Sequence, residues 1–361
     1  MGGELVNAAL SVKLTIKETS GISRSFEPVT SGIPIAEESN ITNQDLFCIK
    51  DSNGNVVPAQ FRILERWDTA ADNSLGKIKW VLVDFQANVS ANSDAFYYLQ
   101  DCGETTSFPP LNVTNVNDVI TINTGNAEFV INKNNFGILT SAKYDGVAVL
   151  NAGDISEDDG TIYLSSNGVA DVFEIEEQGP MRVVIHVEGY NVDSLSNNGL
   201  RYVARIHFYA GKPYTRVVYY YIHDQNLADA TMNEPSQVQQ VDRTINDLEI
   251  NFNLNCSVSS SYLIGRGNGV TPWTGVISGE DKYCRQTSFN QYDSFEENGT
   301  GQLLGWANFY DNNKGMVIAV KNFYNKWPHG IRLALNGDFS YEVLPIGAGE
   351  SGGLHDLYTA P

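Results

Sequence analysis

This sequence is poor in what helical and nucleic-acid-binding proteins are made of. Blocks of Ala, Leu, Glu and Lys at helical spacing are missing, so no helical repeat is expected. Basic residues are scarce. Lys and Arg total 23 against 43 Asp and Glu, a formal charge of -20 with a pI near 4.5. Nucleic acid is excluded as a partner on this ground, because phosphate binding needs a basic face. The same field slows the approach of any polyanion unless a local basic patch offsets it. No apolar run reaches about 18 residues, so no membrane span is expected. The opening MGGELVNAALSVKL lacks the basic-then-apolar pattern of a signal peptide.

Metal and cofactor motifs are equally sparse. The four cysteines show no CxxC or CxxCH spacing, so zinc and haem are not indicated. HExxH, GxSxG and the phosphate-binding P-loop are absent. GRGNG (265–269) is not followed by a helical pattern, and SEDDGT (156–161) lacks calcium-loop spacing and reads as a solvated acidic turn. No metal ligands and no cofactor are therefore expected. Calcium is left open, with no motif to indicate it.

What the chain does contain is strand material. It holds 18 Tyr, 16 Phe and 32 Gly in 361 residues, a bias toward aromatic residues and turn formers. The expected fold class is all-β and antiparallel. DCGETTSFPPLNVTN (101–115) is polar, carries Pro109-Pro110 and reads as a linker, which places domains at 1–113 and 114–361. Asn53-Gly54 predicts a hairpin. GKIKWVLVDFQANV changes its inward face near residue 82, as a bent strand does. Residues 224–245 read as a polar loop, with a short helix over 238–246. Two cysteines fall early and two late. Pairing Cys48 with Cys102 and Cys256 with Cys284 gives one bridge per domain, and the first loop would contribute roughly 4 kcal/mol. Four buried free thiols are the alternative.

One stretch concentrates chemistry: RYVARIHFYAGKPYTRVVYYYIHD, residues 201–224. A two-residue Gly211-Lys212 hairpin loop would set Arg205, His207, Tyr209, Tyr214, Arg216 and Tyr220 on one face. Ala204, Ile206, Phe208, Val217 and Tyr219 would form the core side. Arginine can clamp a carboxylate, tyrosine can stack on a sugar ring, and histidine can exchange a proton near neutral pH. Together these suit an acidic sugar and β-elimination, with His207 as the proton carrier. Against this stands the ordinary reading of Tyr and Arg on an exposed sheet face. Two weaker groups are candidates as well. NKWPHGIRL places Trp327, His329 and Arg332 near one another as a saccharide-lining set, or as a turn with a packed Trp. SGGLHDLYTAP places His355 beside Tyr358 as a proton-transfer pair, or as an interface segment.

Several segments in order resemble the exo-rhamnogalacturonan lyase-like family. They are SGIPIAEESN with FCIKDSNGNVVPAQFRILERW and GKIKWVLVDFQANVSANSDAFYYL; ITINTGNAEFVINKNNFGILTSAKYDG; RYVARIHFYAGKPYTRVVYYYIHD; and KGMVIAVKNFYNKWPHGIRLAL with GAGESGGLHDLY. The resemblance implies an N-terminal RIFT-type β-barrel, then a large antiparallel β-sandwich domain, then a helical α/α toroid. No helical pattern precedes Pro361, so the toroid is expected to be missing, and no catalytic residue is carried over by motif. Two readings follow. One is the β portion of a lyase acting on pectin-derived rhamnogalacturonan. The other is a non-catalytic protein that self-assembles or binds neutral glycans. An extracellular, periplasmic or cell-surface location is expected in both, with a polysaccharide or oligosaccharide as partner.

Overall fold

The structure is a computed structural model that describes residues 10–67, 76–104, 106, 111–223, 243–256, 260–345 and 355–357. The fold is all-β, as the composition predicts. Among the described residues there is no α-helix, only short 3₁₀ turns such as Glu37–Ser39 and Phe323–Lys326. The chain divides into two compact units. The first comprises Met1–Leu111, Glu177–Val184 and His207–Lys212; the second comprises Asn112–Glu176, Ile185–Ile206 and Pro213–Pro361.

In the first unit, a four-stranded sheet runs Ser11–Lys17, Asp94–Gln100, Cys48–Asp51, Val56–Val57. A three-stranded sheet runs Arg24–Pro34, Ile78–Val89, Ala59–Arg66. Both supply one core, including Ile33, Phe47, Ile49, Val81, Val83, Phe85 and Leu99. The Ile78–Val89 strand does change its inward face, but between Ile78 and Val81 rather than near residue 82, so Trp80 does not share the inward side with Ile78. Val81 to Val89 point inward at every second residue, while Trp80 is exposed, and the partner strand bulges at Leu64 to absorb the shift. A hairpin does form at Asn53-Gly54, with Ser52 and Asn53 as the central turn residues and Gly54 following them. Gly54 sits at φ +84°, and its N–H donates to Asp51 O at 3.0 Å.

A polar network centred on Arg182 is buried in this unit. Arg182 Nε donates to Asp84 Oδ1 at 2.7 Å, and its Nη2 donates to Asp84 Oδ2 at 3.2 Å and Glu177 Oε2 at 2.7 Å. Gln60 accepts from the Met181 and Arg182 N–H groups and donates to Glu177. A Cβ on Gly179 would stand 2.2 Å from the Gln60 side chain, so only glycine leaves that amide its place.

The second unit is built on a long sheet. Its central strands, in spatial order, are Val147–Asp158, Asp247–Leu254, Asp338–Leu344, His329–Leu333 and Lys282–Ser288. Thr215–Ile222 and Asn198–Tyr209 close one side of it. A four-stranded sheet (Trp273–Val276, Ser261–Ile264, Trp306–Tyr310, Gly315–Ala319) meets the core side of the long one, where Phe309 contacts Phe339 with ring centres 6.2 Å apart. Alternation decides which side chains reach this core. Leu248, Ile250, Phe252 and Leu254 are buried, and Asp247, Glu249, Asn251 and Asn253 take the other face.

Three expectations need correction. Cys48 and Cys102 form a disulfide, but Cys256 and Cys284 are free. Cys284 lies fully buried mid-sheet between Ile331 and Ser294, whereas Cys256 lies beside Ser260 and Asp311. Burial pushes the Cys284 thiol up to about 12. The helix over 238–246 is not there in its described part, because Arg243–Ile245 is a strand paired with His355–Leu357. The reversal near residue 211 is not a Gly211-Lys212 loop. Lys212 N–H donates to Tyr209 O at 3.1 Å, so Ala210 and Gly211 are the central residues, with Gly211 at φ +68°. The next strand begins only at Thr215. The linker prolines Pro109 and Pro110 lie outside the described residues.

Candidate functional site

The basic-aromatic face was expected from residues 205–220. Ala204, Ile206 and Phe208 are fully buried, as that reading requires, but Val217 is exposed. Arg205 and His207 do share a side of their strand, opposite the buried positions. Neither is uncommitted. Arg205 Nε donates to both Glu176 carboxylate oxygens at 2.9 Å. His207 Nδ1 lies 3.1 Å from Arg182 Nη1; a guanidinium can only donate, so this ring nitrogen accepts. Tyr209 is buried, while Tyr214, Arg216 and Tyr220 remain exposed. The neighbouring strands add acid that the linear sequence does not place there. Glu174 and Glu188 flank His186 at 3.1 and 2.9 Å, and Arg201 pairs with Glu188. This face is therefore a mixed-charge ladder rather than a basic patch.

The NKWPHGIRL group is split by strand geometry. His329 and Arg332 are an odd number of residues apart, so they fall on opposite faces. His329 is buried on the core side, 2.9 Å from the Tyr341 hydroxyl. Burial, with Lys326 adding repulsion, lowers its pKa to about 4, so it is neutral at physiological pH. Trp327 is half-exposed. His355 lies in the strand His355–Leu357, and Tyr358 lies outside the described residues.

Arg332 instead belongs to a set that the sequence reading missed. On the polar face of the long sheet, cross-strand pairing lines up Ser156, Glu249, Glu342, Gly330 and Arg285 in one row. Arg285 holds Glu342 with two bonds, Nε to Oε2 at 2.7 Å and Nη2 to Oε1 at 2.6 Å. The pair reaches across Gly330, where a Cβ would stand 1.9 Å from Glu342 Oε2. Arg332 Nη2 donates to Glu249 at 3.0 and 2.7 Å, and Arg332 lies 3.5 Å from both Asp281 and Glu342. Burial raises the Glu342 pKa even though Arg285 opposes it. Asp247 is pushed up to about 8, first by burial and then by Glu249 and Glu342. Among the described residues its Oδ1 is buried with no hydrogen-bond partner.

Beside this row is a notch of about 420 Å³, lined by Asp154, Asn251, Asn253, Glu249, Arg332 and Asp338 among others. Its floor is set by hydrogen bonds between strands. Asn251 Nδ2 donates to Ser156 Oγ at 2.8 Å, and Asn253 Nδ2 donates to Asp338 Oδ1 at 2.8 Å. Each amide nitrogen has a second N–H beyond these bonds. Asp154 accepts from Ile155 N–H, Ser165 Oγ and Ser166 N–H at 2.9 to 3.1 Å.

The backbone against the notch is under strain. Leu139 N–H donates to Gly137 O at 2.7 Å, closing a γ-turn around Ile138 at φ +66°. A buried β-branched residue at positive φ costs on the order of 1–3 kcal/mol. Gly153, which lines the notch, meets this turn backbone to backbone: its Cβ would stand 2.3 Å from Gly137 O and 2.4 Å from Leu139 O. Strain concentrates at functional sites more often than elsewhere. A sequence signal was present in the alternating amides of LEINFNLN, but nothing local shows what faces them.

The fold has counterparts among known proteins. The chain is similar in structure to an alpha-mannosidase from Enterococcus faecalis V583, at 12% identity and a TM-score of 0.56, covering 97% of this chain and 41% of the other. It is also similar to a protein in the glycosyl hydrolase family 38 from Enterococcus faecalis, at 13% identity and a TM-score of 0.51, covering 97% and 42%. The chain thus spans about two-fifths of their length, and at these identities the likeness concerns the fold alone. No curated protein matches the chain. Residues 111–233 match the family described as PcRGLX-like protein central beta sandwich domain. The match supports the family resemblance read from the sequence over that segment, about a third of the chain.

Proposed function

We propose that this chain is the β portion of a rhamnogalacturonan lyase-like protein and that the notch beside Asp154 holds neutral sugar units of the polysaccharide. In this reading the two sheets around Phe47 stand for the RIFT-type barrel. The observation that carries the proposal is the pairing of a fixed amide floor, Asn251 and Asn253, with the strained Gly137–Gly153 crossing. Spare amide N–H groups suit sugar hydroxyls. Glu249, Asp338 and Asp154 disfavour a uronate there, and the Arg332 guanidinium is already bound by Glu249. A disulfide and a strongly acidic surface suit an extracellular, periplasmic or cell-surface setting. Isothermal titration with a rhamnogalacturonan oligosaccharide tests the reading. The Asn251→Ala/Asn253→Ala variant should bind at least about tenfold more weakly. Equal affinity in variant and parent would overturn it.

A second reading keeps the uronate contact at Arg216, favoured by its exposure on one strand with Tyr220 and next to Tyr214. It predicts that Arg216→Ala and added salt each weaken binding of an oligogalacturonate. Binding that responds to neither change removes it.

A further inference from the structure

Apart from the notch, the first unit holds a larger recess, of about 560 Å³. Three connections surround it, and each is pinned by a polar side chain. Glu18 accepts from the N–H groups of Ser20, Gly21, Ile22 and Asn92 at 2.8, 3.0, 3.2 and 3.0 Å. These bonds, with the Ser20 hydroxyl foremost, hold its pKa down to about 2. Asp51 accepts from the N–H groups of Asn53 and Asn55, both at 2.9 Å. Asn88 Oδ1 accepts from Phe26 N–H at 2.8 Å. The walls are thus ordered before any ligand arrives, which lowers the entropy cost of binding.

Phe26 is the unusual feature beside the recess, next in the chain to Ser25 of its lining rather than part of the lining itself. Pairing of Arg24–Pro34 with Ile78–Val89 jumps from Arg24↔Val89 to Glu27↔Ala87, so the strand carries one extra residue there. Phe26 sits in that bulge at φ +52° with 56% of its surface exposed. Folding gains little from this arrangement, since the ring stays in water and the backbone would favour glycine. Bulges re-aim side chains and are enriched next to binding sites. Ser25, its neighbour, lines the recess together with Ser23, Ser52, Asn53 and Asn88. Among the described residues the lining also has the carboxylates of Asp51 and Asp94 and the cation Arg24, which donates to Ser20 Oγ at 3.1 Å; at its margin Lys212 Nζ donates to Ser25 O at 3.3 Å and Lys13 Nζ lies 3.7 Å from the Phe96 ring centre.

We infer that this recess is a second saccharide site, selective for neutral, hydroxyl-rich sugars, with Phe26 as the ring on which a sugar face stacks. Hydroxyls and amides match sugar hydroxyls, the Asp51 and Asp94 carboxylates in the lining oppose a uronate there while the lysines stay at the margin, and the volume falls within the range of small-ligand sites. The test uses the full chain, a neutral galacto-oligosaccharide and an oligogalacturonate of equal length, followed by titration calorimetry. In the Asn251→Ala/Asn253→Ala background, residual binding of the neutral sugar should persist and exceed uronate binding about tenfold or more. Adding Phe26→Gly should cut that residual binding about tenfold or more, while the melting temperature holds or rises because the φ strain is relieved. If residual binding is absent, or unchanged by Phe26→Gly, the recess is not a site. A melting temperature lowered as for a core residue would make Phe26 structural and overturn the inference too. Loss confined to Phe26→Gly with the notch variant silent would remove the notch reading and leave this one standing.

Discussion

Asp247 makes the electrostatics of the sheet face measurable. Its neighbours on that face are Glu249 on its own strand, Asp158 opposite, and Glu342, Arg332 and Arg285 from the strands beyond. Its folded pKa near 8 lies far above the ordinary aspartate value of about 3.9. Between those values the folded chain keeps a proton that the unfolded chain has lost. The stability tied to Asp247 is therefore greatest below about pH 4, falls by up to about 1.4 kcal/mol per pH unit as pH rises, and is fully lost above about pH 8. At neutral pH this bounds the cost at about 4 kcal/mol, three such units. Asp247→Asn mimics the protonated form and should remove most of that cost. Guanidinium unfolding, followed by the fluorescence of Trp273 and Trp306 in the second unit, gives the difference between variant and parent across the pH range. The variant should match the parent near pH 4, gain steadily to about pH 8, and then stay level. A difference independent of pH, or an Asn variant less stable than the parent at neutral pH, would refute the argument.

Three further outcomes follow from the same geometry. Arg285→Met should destabilise the second unit by about 3–5 kcal/mol, because buried Glu342 loses both of its short bonds and keeps only the 3.5 Å contact with Arg332, and Arg285→Met/Glu342→Met should recover most of the loss in the same unfolding assay. Gly153→Ala should lower the melting temperature by several degrees and abolish saccharide binding at the notch, since its methyl group would meet the Gly137 and Leu139 carbonyls; an unchanged melting curve would contradict that crossing. Thiol titration should find two free cysteines, with Cys284 reacting only in denaturant and Cys256 reacting sooner.

Much of this fold follows from local pattern. A period of two, repeated over short runs with turn formers between them, leaves no choice but antiparallel strands, and it sorts residues into core and opposite faces. LEINFNLN and RYVARIHF each sorted as their alternation requires. Local pattern also exposed the Asn53-Gly54 hairpin and the change of face within Ile78–Val89.

What the sequence alone determined, then, was the class of element and the side each residue takes. It could not determine what stands opposite. Arg332 meets Glu249 across 83 residues of sequence, and Arg182 meets Asp84 across 98. Arg205 and His207 looked basic and available until neighbouring strands brought Glu176 and Arg182 to them. Strand register is set by the packing of the whole sheet, and a shift of one residue would exchange every partner. Charge, protonation and the shape of a recess depend on those partners, so only the tertiary structure decided where the notch lies and which residues form it.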